Sequence, residues 1–161
     1  MRGARARAWW LAGALCIGIV IVDQAVKTAI RDHLVVGQEV EVLGPLKLTL
    51  THNSGVAFGF AGGAGIRIVL LTLVALGVVG YFFARNPTRP WMWLAVGLVA
   101  GGALGNLVDR LRFDVVTDYI DLPSWPPFNL ADMSIIAGVL LLVLINLRDS
   151  DADPGPKPGD G

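Results

Sequence analysis

The sequence predicts an all-α membrane protein with four transmembrane helices and a small extracytoplasmic β-hairpin. Hydrophobic residues make up 54% of the 161 residues and charged residues only 16%. The mean hydropathy of +0.62 is unlike that of a soluble domain of this size. Four apolar stretches are each long enough to cross about 30 Å of hydrocarbon. Four spans place both chain termini on the same side of the membrane.

The four apolar stretches cover residues 9–29, 66–84, 91–108 and 133–147. The first has an alternative interpretation, because three arginines, an apolar run and Cys16 together resemble a cleavable secretory or lipoprotein signal. Leu15 is not the small residue expected before a cleavage site, and the apolar run continues past Cys16. We therefore interpret Cys16 as a buried helix residue and the first stretch as a span.

Residues 39–53, EVEVLGPLKLTLTHN, have the pattern of a two-stranded hairpin. Apolar and polar residues alternate on both sides of a Gly44-Pro45 turn. The segment that follows, HNSGVAFGF, interleaves glycines with Phe58 and Phe60. It is either an ordinary loop that returns the chain to the bilayer or a lipid-facing cradle whose glycines let a substrate backbone approach. The sequence leaves both interpretations open.

The charged and metal-binding residue types exclude two classes of function. Thirteen Lys and Arg balance thirteen Asp and Glu, so no basic surface indicates nucleic-acid binding. One cysteine and two histidines at unrelated spacings predict no metal site, and no other cofactor is indicated. We expect one membrane domain, residues 1–148, followed by a disordered cytoplasmic tail, residues 149–161, which is acidic and rich in proline and glycine.

The arginines predict the orientation. Three arginines without an acid precede the first span, and Arg85 and Arg89 lie in a very short loop, so the positive-inside rule places these segments in the cytoplasm. Residues 32–65 and 110–130 then face outward. All nine acidic residues that precede the tail lie on this outer side. A transporter would spread ionisable groups across the membrane depth, so the one-sided acids favour a surface-facing site over a conduit.

Polar residues recur at helical spacing near the outer ends of the spans. Asp23 and Lys27 are four residues apart, and Asn106, Asp109 and Arg110 share one helical face. An interfacial ion pair is an alternative explanation for Asp23 and Lys27. It does not explain why such groups repeat at one depth. The third span also carries small residues whose spacing favours close helix packing: Gly97, Gly101 and Gly105.

Asp132 stands where the fourth span begins. Asn129 precedes it by three residues, so the two resemble a helix capping box, and an acid suits the positive end of a helix. If Asp132 instead has a carboxylate partner, the three prolines of DYIDLPSWPPFN turn the chain and bring the preceding acids near it. Two carboxylates near lipid tend to share a proton and can then act as acid and base on a peptide bond. The residues alone leave the partner open among Asp109, Asp114, Asp118 and Asp121.

Five polar motifs follow one another along the chain: DQAVK (23–27), NSGVAF (53–58), GNLVDR (105–110), VVTDYID (115–121) and FNLAD (128–132). This series closely resembles the signal peptidase II family, the lipoprotein signal peptidases. The resemblance implies a four-helix aspartic endopeptidase of the bacterial inner membrane, with its active site on the extracytoplasmic side. The implied reaction removes signal peptides from prolipoproteins by cleavage before the diacylglyceryl-modified cysteine.

The resemblance selects Asp118 and Asp132 as the catalytic pair. It implies substrate-binding positions at the polar residues of the motifs: Asp23, Lys27, Asn53, Gly55, Asn106, Asp109, Arg110 and Asn129. The implied partners are diacylglyceryl-modified prolipoproteins and membrane lipid, and we expect the protein to act as a monomer. A non-enzymatic membrane scaffold is the remaining alternative, and it predicts that Asp118 and Asp132 can each be changed to Asn with little loss of function.

Overall fold

The structure is a computed structural model that describes the backbone of residues 2–55 and 64–152 and the side chains of residues 2–55 and 66–148. In this part of the chain, four helices are long and apolar enough to cross a membrane. The helices are α1 (Arg2–His33), α2 (Ala64–Arg85), α3 (Met92–Phe113) and α4 (Leu130–Ala152). The four predicted spans are therefore confirmed. Each helix continues beyond the predicted span at the end that points to the polar motifs.

Helix α3 lies at the centre of the bundle. In its most apolar stretch 56% of the residues are buried, against 11%, 6% and 22% in α1, α2 and α4. Glycines allow this packing, because a Cβ atom at Gly97 would meet the side chain of Leu15 at 2.9 Å and one at Gly101 would meet Ile19 at 2.8 Å. The glycine ladder thus packs α3 against α1, as predicted.

Four strands form one antiparallel sheet in the order β1-β2-β3-β4. The predicted hairpin is confirmed as β1 (Glu39–Leu43) and β2 (Leu46–Asn53), with Gly44 in the turn at a φ of 55°. Two further strands, β3 (Val116–Leu122) and β4 (Trp125–Phe128), were not predicted. The expected hairpin is therefore corrected to a four-stranded sheet.

The chain reverses between β3 and β4, where Ser124 has a φ of 65°. The chain turns within this segment, as the sequence predicted, and Pro123 is the proline that lies in the turn. Pro126 and Pro127 lie inside β4, which is tolerated because β4 is an edge strand and leaves one row of backbone groups unpaired. The turn carries the chain from β3 back to the beginning of α4.

The sheet packs on the outer ends of the helices through a small apolar core. Ile30 of α1, Leu50 of β2 and Tyr119 of β3 are its buried members. Thr51 of β2 lies opposite Asp118 of β3. The packing and the register together fix β3 between β2 and the first turn of α4.

Two predictions concern residues that lie wholly or partly outside the described part. The segment that contains Phe58 and Phe60 is outside it, as are residues 153–161 of the predicted tail. Helix α4 ends at Ala152 and so includes the first four residues of that tail.

Candidate active site

The carboxylate of Asp118 projects from β3 and is held by two asparagine side chains. Asn129 donates to Oδ1 at 2.6 Å, and Asn53 donates to Oδ2 at 3.0 Å. Only 2% of Asp118 is exposed, yet it borders an open cavity of about 320 Å³. The other residues that line this cavity are Thr51, His52, Asn53, Ser54, Pro126 and Pro127.

Burial raises the pKa of Asp118 to about 6. The hydrogen bond from Asn53 opposes this rise, because it stabilises the ionised form, while the nearby charge of Asp132 adds to it. The hydrogen bond from Asn129 and the charge of Lys27 also lower the pKa, but they do not cancel the effect of burial. Asp118 can therefore hold or release a proton near neutral pH.

Asp132 occupies the first turn of α4 and forms the predicted capping box with Asn129. The backbone N–H of Asp132 donates to Oδ1 of Asn129 at 2.9 Å, and the backbone N–H of Asn129 donates to Oδ2 of Asp132 at 3.2 Å. The other carboxylate oxygen, Oδ1, accepts a hydrogen bond of 2.7 Å from Asn106. Both carboxylate oxygens of Asp132 therefore accept an N–H donor at the positive end of the helix dipole.

Two asparagines link the two carboxylates. Asn129 donates to Asp118 and accepts from the backbone of Asp132. Its side-chain nitrogen also donates to Oδ1 of Asn106 at 3.2 Å. The side-chain nitrogen of Asn106 in turn donates to Oδ1 of Asp132. The prediction of a carboxylate pair and the prediction of a helix cap therefore describe the same atoms.

The beginning of α4 is held by side chains from three different elements. The backbone N–H of Leu130 donates to the hydroxyl of Tyr119 at 3.1 Å, and that of Ala131 donates to Oδ1 of Asp23 at 3.1 Å. Asn129 accepts from the next N–H, that of Asp132. The first N–H groups of a helix have no acceptor within the helix, so these contacts satisfy them. They also fix the position of the turn that carries Asp132.

A buried ion cluster lies beneath the two carboxylates. The ammonium group of Lys27 lies 2.9 Å from Oδ2 of Asp23 and 3.3 Å from Oδ2 of Asp109, and all three side chains are fully buried. It also donates to Oδ1 of Asn106 at 2.8 Å. The three donors of the ammonium group thus match three acceptors, which is the condition for holding a charge in the interior.

The ion cluster is joined to β3 and to a second cation. Oδ2 of Asp109 accepts from the backbone N–H of Thr117 at 2.9 Å, and Oδ1 lies 3.6 Å from the guanidinium of Arg31. Arg31 also donates to the hydroxyl of Thr117 at 2.8 Å. Gln24 donates to Oδ1 of Asp109 at 3.1 Å and to the carbonyl of Gly105 at 3.0 Å. Two carboxylates therefore face two cations, which keeps the cluster close to neutral.

Gly55 determines which way the Asn53 amide points. The N–H of Gly55 donates to Oδ1 of Asn53 at 2.9 Å, so the amide nitrogen is the atom that faces Asp118. Gly55 has a φ of 73°, and a Cβ atom there would collide with the side chain of Ile68. Only glycine fits this position without strain.

Arg110 completes the set of predicted residues. Its guanidinium donates to the carbonyl of Asn106 at 3.5 Å, and its charge acts on the carboxylates of Asp132 and Asp118. The structure therefore brings all ten predicted site residues into one connected region at the end of the bundle that carries the sheet.

Four residues of this region were not predicted: Gln24, Arg31, Thr117 and Tyr119. A signal was present for three of them, since Gln24 lies inside DQAVK and the other two flank Asp118 in VVTDYID. Arg31 follows Lys27 by four residues and so shares its helical face. Among the described residues, no group of three or more His, Cys, Asp or Glu side chains could hold a metal ion.

A buried and a half-buried carboxylate linked through asparagines, at one end of a four-helix membrane domain, define a membrane enzyme of the aspartic peptidase class. Comparison with known proteins gives the family. Residues 15–148 match the family model described as signal peptidase (SPase) II. The chain belongs to this family of aspartic peptidases.

Curated relatives support the assignment across most of the chain. A lipoprotein signal peptidase of Pelotomaculum thermopropionicum is 43% identical over 136 residues, which cover 83% of this chain and 89% of the relative. One of Mycobacterium tuberculosis is 38% identical over 159 residues, which cover 92% of this chain and 77% of the relative.

Two solved structures described as bacterial membrane enzymes share the fold. One aligns with a TM-score of 0.81 and 32% identity over 86% of this chain and 93% of the other. The second aligns with a TM-score of 0.82 and 30% identity over 92% of this chain and 94% of the other.

Proposed function

We propose that this enzyme removes signal peptides from prolipoproteins by cutting just before the diacylglyceryl-modified cysteine, with Asp118 and Asp132 as the catalytic pair. The observation that carries the proposal is the bridge through Asn129, whose side chain donates to the carboxylate of Asp118 and whose backbone N–H donates to the carboxylate of Asp132. Family membership supports the reaction class.

The two carboxylates have different surroundings, which suggests different roles. Asp118 is buried, and its pKa of about 6 lets it hold a proton. Asp132 uses both of its carboxylate oxygens as acceptors, for two N–H donors at the positive end of α4. Asp118 is accordingly the acid and Asp132 the base.

The reaction then follows from these roles. Asp132 takes a proton from water while the water oxygen attacks the peptide carbonyl carbon, and the protonated Asp118 donates a hydrogen bond to the carbonyl oxygen. A tetrahedral intermediate forms. It collapses when the C–N bond breaks, and the leaving nitrogen takes the proton that Asp132 received from water.

The surrounding residues divide into two groups by exposure. Asp23, Lys27 and Asp109 are fully buried and bonded to protein groups, so we assign them to positioning the helices and β3. This replaces the substrate contact that the resemblance implied for them. Asn53 and Arg110 retain exposed surface next to the carboxylates, and we assign substrate contact to these two.

Recognition of the substrate lipid is assigned to the outer sheet. Val40, Val42 and Leu43 of β1 are 40%, 53% and 78% exposed, which provides apolar surface beside the membrane for the diacylglyceryl group. Each methylene that leaves water on binding contributes about 0.8 kcal/mol, so the lipid is expected to add strongly to affinity.

The proposed location is the bacterial inner membrane, with both termini in the cytoplasm, the sheet on the extracytoplasmic side and a single chain as the active unit. The three arginines at the start of α1 and Arg85 at the end of α2 support this orientation. In intact cells that carry a Cys16-free variant, an impermeant thiol reagent should label a cysteine at Ser124 and spare one at Thr88. The reverse pattern would contradict the orientation.

The reaction itself is tested with purified protein in detergent. A diacylglyceryl-modified prolipoprotein should be shortened at the modified cysteine, and the same chain without the lipid should be cut far more slowly. Equal cleavage of the two soluble substrates would contradict lipid recognition. Absence of cleavage by a well-folded sample would contradict the proposed reaction.

A further inference from the structure

A groove lies at the end of the bundle opposite the sheet, between the start of α1 and the loop that joins α2 to α3. The guanidinium of Arg5 holds this end together by donating to the carbonyl of Ala84 at 3.1 Å. The groove has a volume of about 330 Å³. We call it the arginine groove, after the residues that give it its character: Arg7, Leu11, Arg89, Trp91 and Trp93.

A second groove, with a volume of about 180 Å³, opens between α2, α3 and α4 and shares Arg89 with the first. We call it the apolar groove, because its walls are formed by Val79, Phe82, Met92, Val96 and Leu142. Its polar residues, Asn86 and Asn146, stand with Arg89. A volume of this size is smaller than the roughly 300–1,000 Å³ of an ordinary small-molecule pocket, and it suits part of an apolar chain.

Arg89 is fixed at the junction of the two grooves. One guanidinium nitrogen donates to Oδ1 of Asn146 at 3.1 Å, and the other donates to the carbonyl of Ile145 at 3.0 Å. Both contacts are with α4, so the charge is anchored to the bundle. A guanidinium held in this way loses little side-chain freedom when it binds a ligand.

The charge around the grooves has one sign. Every charged side chain that lines either groove, among the residues the structure describes, is an arginine. Four more arginines lie in the helix turns at the same end: Arg2, Arg5, Arg85 and Arg148. The sequence of the last turns of α4 also contains Asp149 and Asp151, which offset this positive charge only in part. Four of the five tryptophans also lie at this end, as expected where helices leave a bilayer.

We propose that the two grooves form a binding site for an anionic phospholipid. The phosphate group lies between Arg7 and Arg89, where planar guanidinium groups can donate paired hydrogen bonds to its oxygens. One acyl chain follows the apolar groove between α2 and α4. Basic pockets between transmembrane helices are known to bind acidic headgroups, and here the basic and apolar parts adjoin at Arg89. The site lies at the opposite end of the bundle from Asp118 and Asp132 and is separate from the substrate site.

The test uses the two tryptophans of the arginine groove as reporters. Full-length protein that carries Trp9→Phe, Trp10→Phe and Trp125→Phe, so that Trp91 and Trp93 are its only tryptophans, is placed in phosphatidylcholine nanodiscs that contain a small fraction of phosphatidylglycerol with brominated chains. Bromine quenches tryptophan only at close range. Brominated phosphatidylglycerol should therefore quench much more strongly than brominated phosphatidylcholine at the same fraction, and millimolar inorganic phosphate should not remove the difference.

Arg7→Gln is the main variant, because it removes a groove charge without touching the contacts of Arg89 to α4. It should weaken the preference for phosphatidylglycerol about fivefold, the effect of one basic residue near the surface. Arg89→Gln should do so at least as strongly. Arg85→Gln is the matched control, because the substitution removes the same charge from the same end of the bundle. Arg85 lies over the ring of Tyr81 and lines neither groove. It should change the preference by less than about twofold.

Three outcomes would overturn the proposal. Equal quenching by the two lipids would mean that no anionic site exists. An equal effect of Arg85→Gln and Arg7→Gln, in proteins with the same unfolding temperature, would mean that the attraction is diffuse. Loss of the excess quenching in inorganic phosphate would mean that the arginines bind a free anion and not a lipid.

Discussion

The side-chain nitrogen of Asn129 lies 2.6 Å from Oδ1 of Asp118, while its side-chain oxygen accepts from the backbone N–H of Asp132. One side-chain amide therefore caps α4 and holds the carboxylate of Asp118 next to the helix turn that carries Asp132. Because the amide has a donor end and an acceptor end, its orientation is fixed by these two contacts. The distance between the acid and the base thus depends on a residue that carries no charge.

Replacement of this amide should impair catalysis more than folding. In Asn129→Ala we expect kcat to fall about a hundredfold, the scale of a small misplacement of reacting groups. Loss of the cap should cost about 0.5–2 kcal/mol of stability, read from thermal unfolding in detergent. Ser134→Ala is the control, since it removes a hydrogen bond of 2.9 Å to Leu130 in the same turn of α4. A folded Asn129→Ala enzyme with wild-type kcat would contradict the bridging role.

The pH dependence should follow the proton on Asp118. Burial raises the pKa of Asp118 to about 6, so the protonated form that serves as acid is lost as the pH rises through that value in the free enzyme. The hydrogen bond from Asn53 lowers this pKa. In Asn53→Ala the pKa should rise further, and the alkaline limb of kcat/KM should move to higher pH.

Thr51→Val serves as the control for this shift, because the Thr51 hydroxyl bonds to the backbone carbonyl of Asp118 and not to the carboxylate. Its alkaline limb should stay where it is in the wild type. A shift of the Asn53→Ala limb to lower pH would show that Asp118 is not the group that holds the proton.

The sequence predicted the contributing motifs but not how they connect. Asn129 and Asp132 were predictable as a pair because a capping box is local, with its partners three positions apart. Asp118 could not be distinguished from its neighbouring acids, since its distinguishing partner Asn53 lies 65 positions away. Strand β3 was not predicted because several of its polar residues are buried in the hydrogen-bond network and do not face solvent. The usual alternation of buried apolar and exposed polar residues along a strand is therefore absent.

The same limit explains the unpredicted residues. Arg31 contacts Thr117 from 86 positions away, and nothing within α1 indicates that partner. Tyr119 has the composition of an ordinary core residue, and its hydroxyl becomes informative only when β3 is packed against the first turn of α4. The role of the glycines was easier to predict, because small residues spaced four apart in an apolar helix commonly allow close packing against another helix.

Loss of the buried cation should destabilise the protein strongly. Lys27→Met leaves Asp23 and Asp109 buried without their shared partner, and breaking a buried pair in this way typically costs about 3–5 kcal/mol. Lys47→Met is the matched control, because the Lys47–Glu39 pair at 2.7 Å is on the exposed face of the sheet. It should leave the unfolding temperature almost unchanged. Similar unfolding temperatures for the two variants would contradict the central role of the ion cluster.

Close packing of α3 on α1 predicts a contrast between two glycines. In Gly101→Ala the new Cβ atom would meet Ile19 at 2.8 Å and the carbonyl of Cys16 at 3.1 Å, so we expect a loss of about 1–3 kcal/mol. In Gly18→Ala nothing lies within 4 Å of the new atom, and the higher helix propensity of alanine should leave stability unchanged or raise it by up to about 1 kcal/mol. Thermal unfolding of both variants in one detergent measures the difference.

The most direct test of the central claim is single-turnover cleavage of a diacylglyceryl-modified prolipoprotein by a set of Asp→Asn variants. Asp118→Asn and Asp132→Asn should each slow cleavage by about a hundredfold to ten-thousandfold, because an amide can neither serve as base nor carry the shared proton. The double variant should be scarcely slower than either single variant, since the two residues act as one unit.

Two neighbouring acids complete this measurement as controls. Asp114 ends α3 with a φ of 60°, which asparagine adopts equally well, and Asp121 lies opposite Lys47 near the far end of β3. Asp114→Asn and Asp121→Asn should cleave at close to the wild-type rate. If folded Asp118→Asn and Asp132→Asn enzymes also retained that rate, the paired-carboxylate account would be contradicted, and Asp132 would serve only as part of the helix cap.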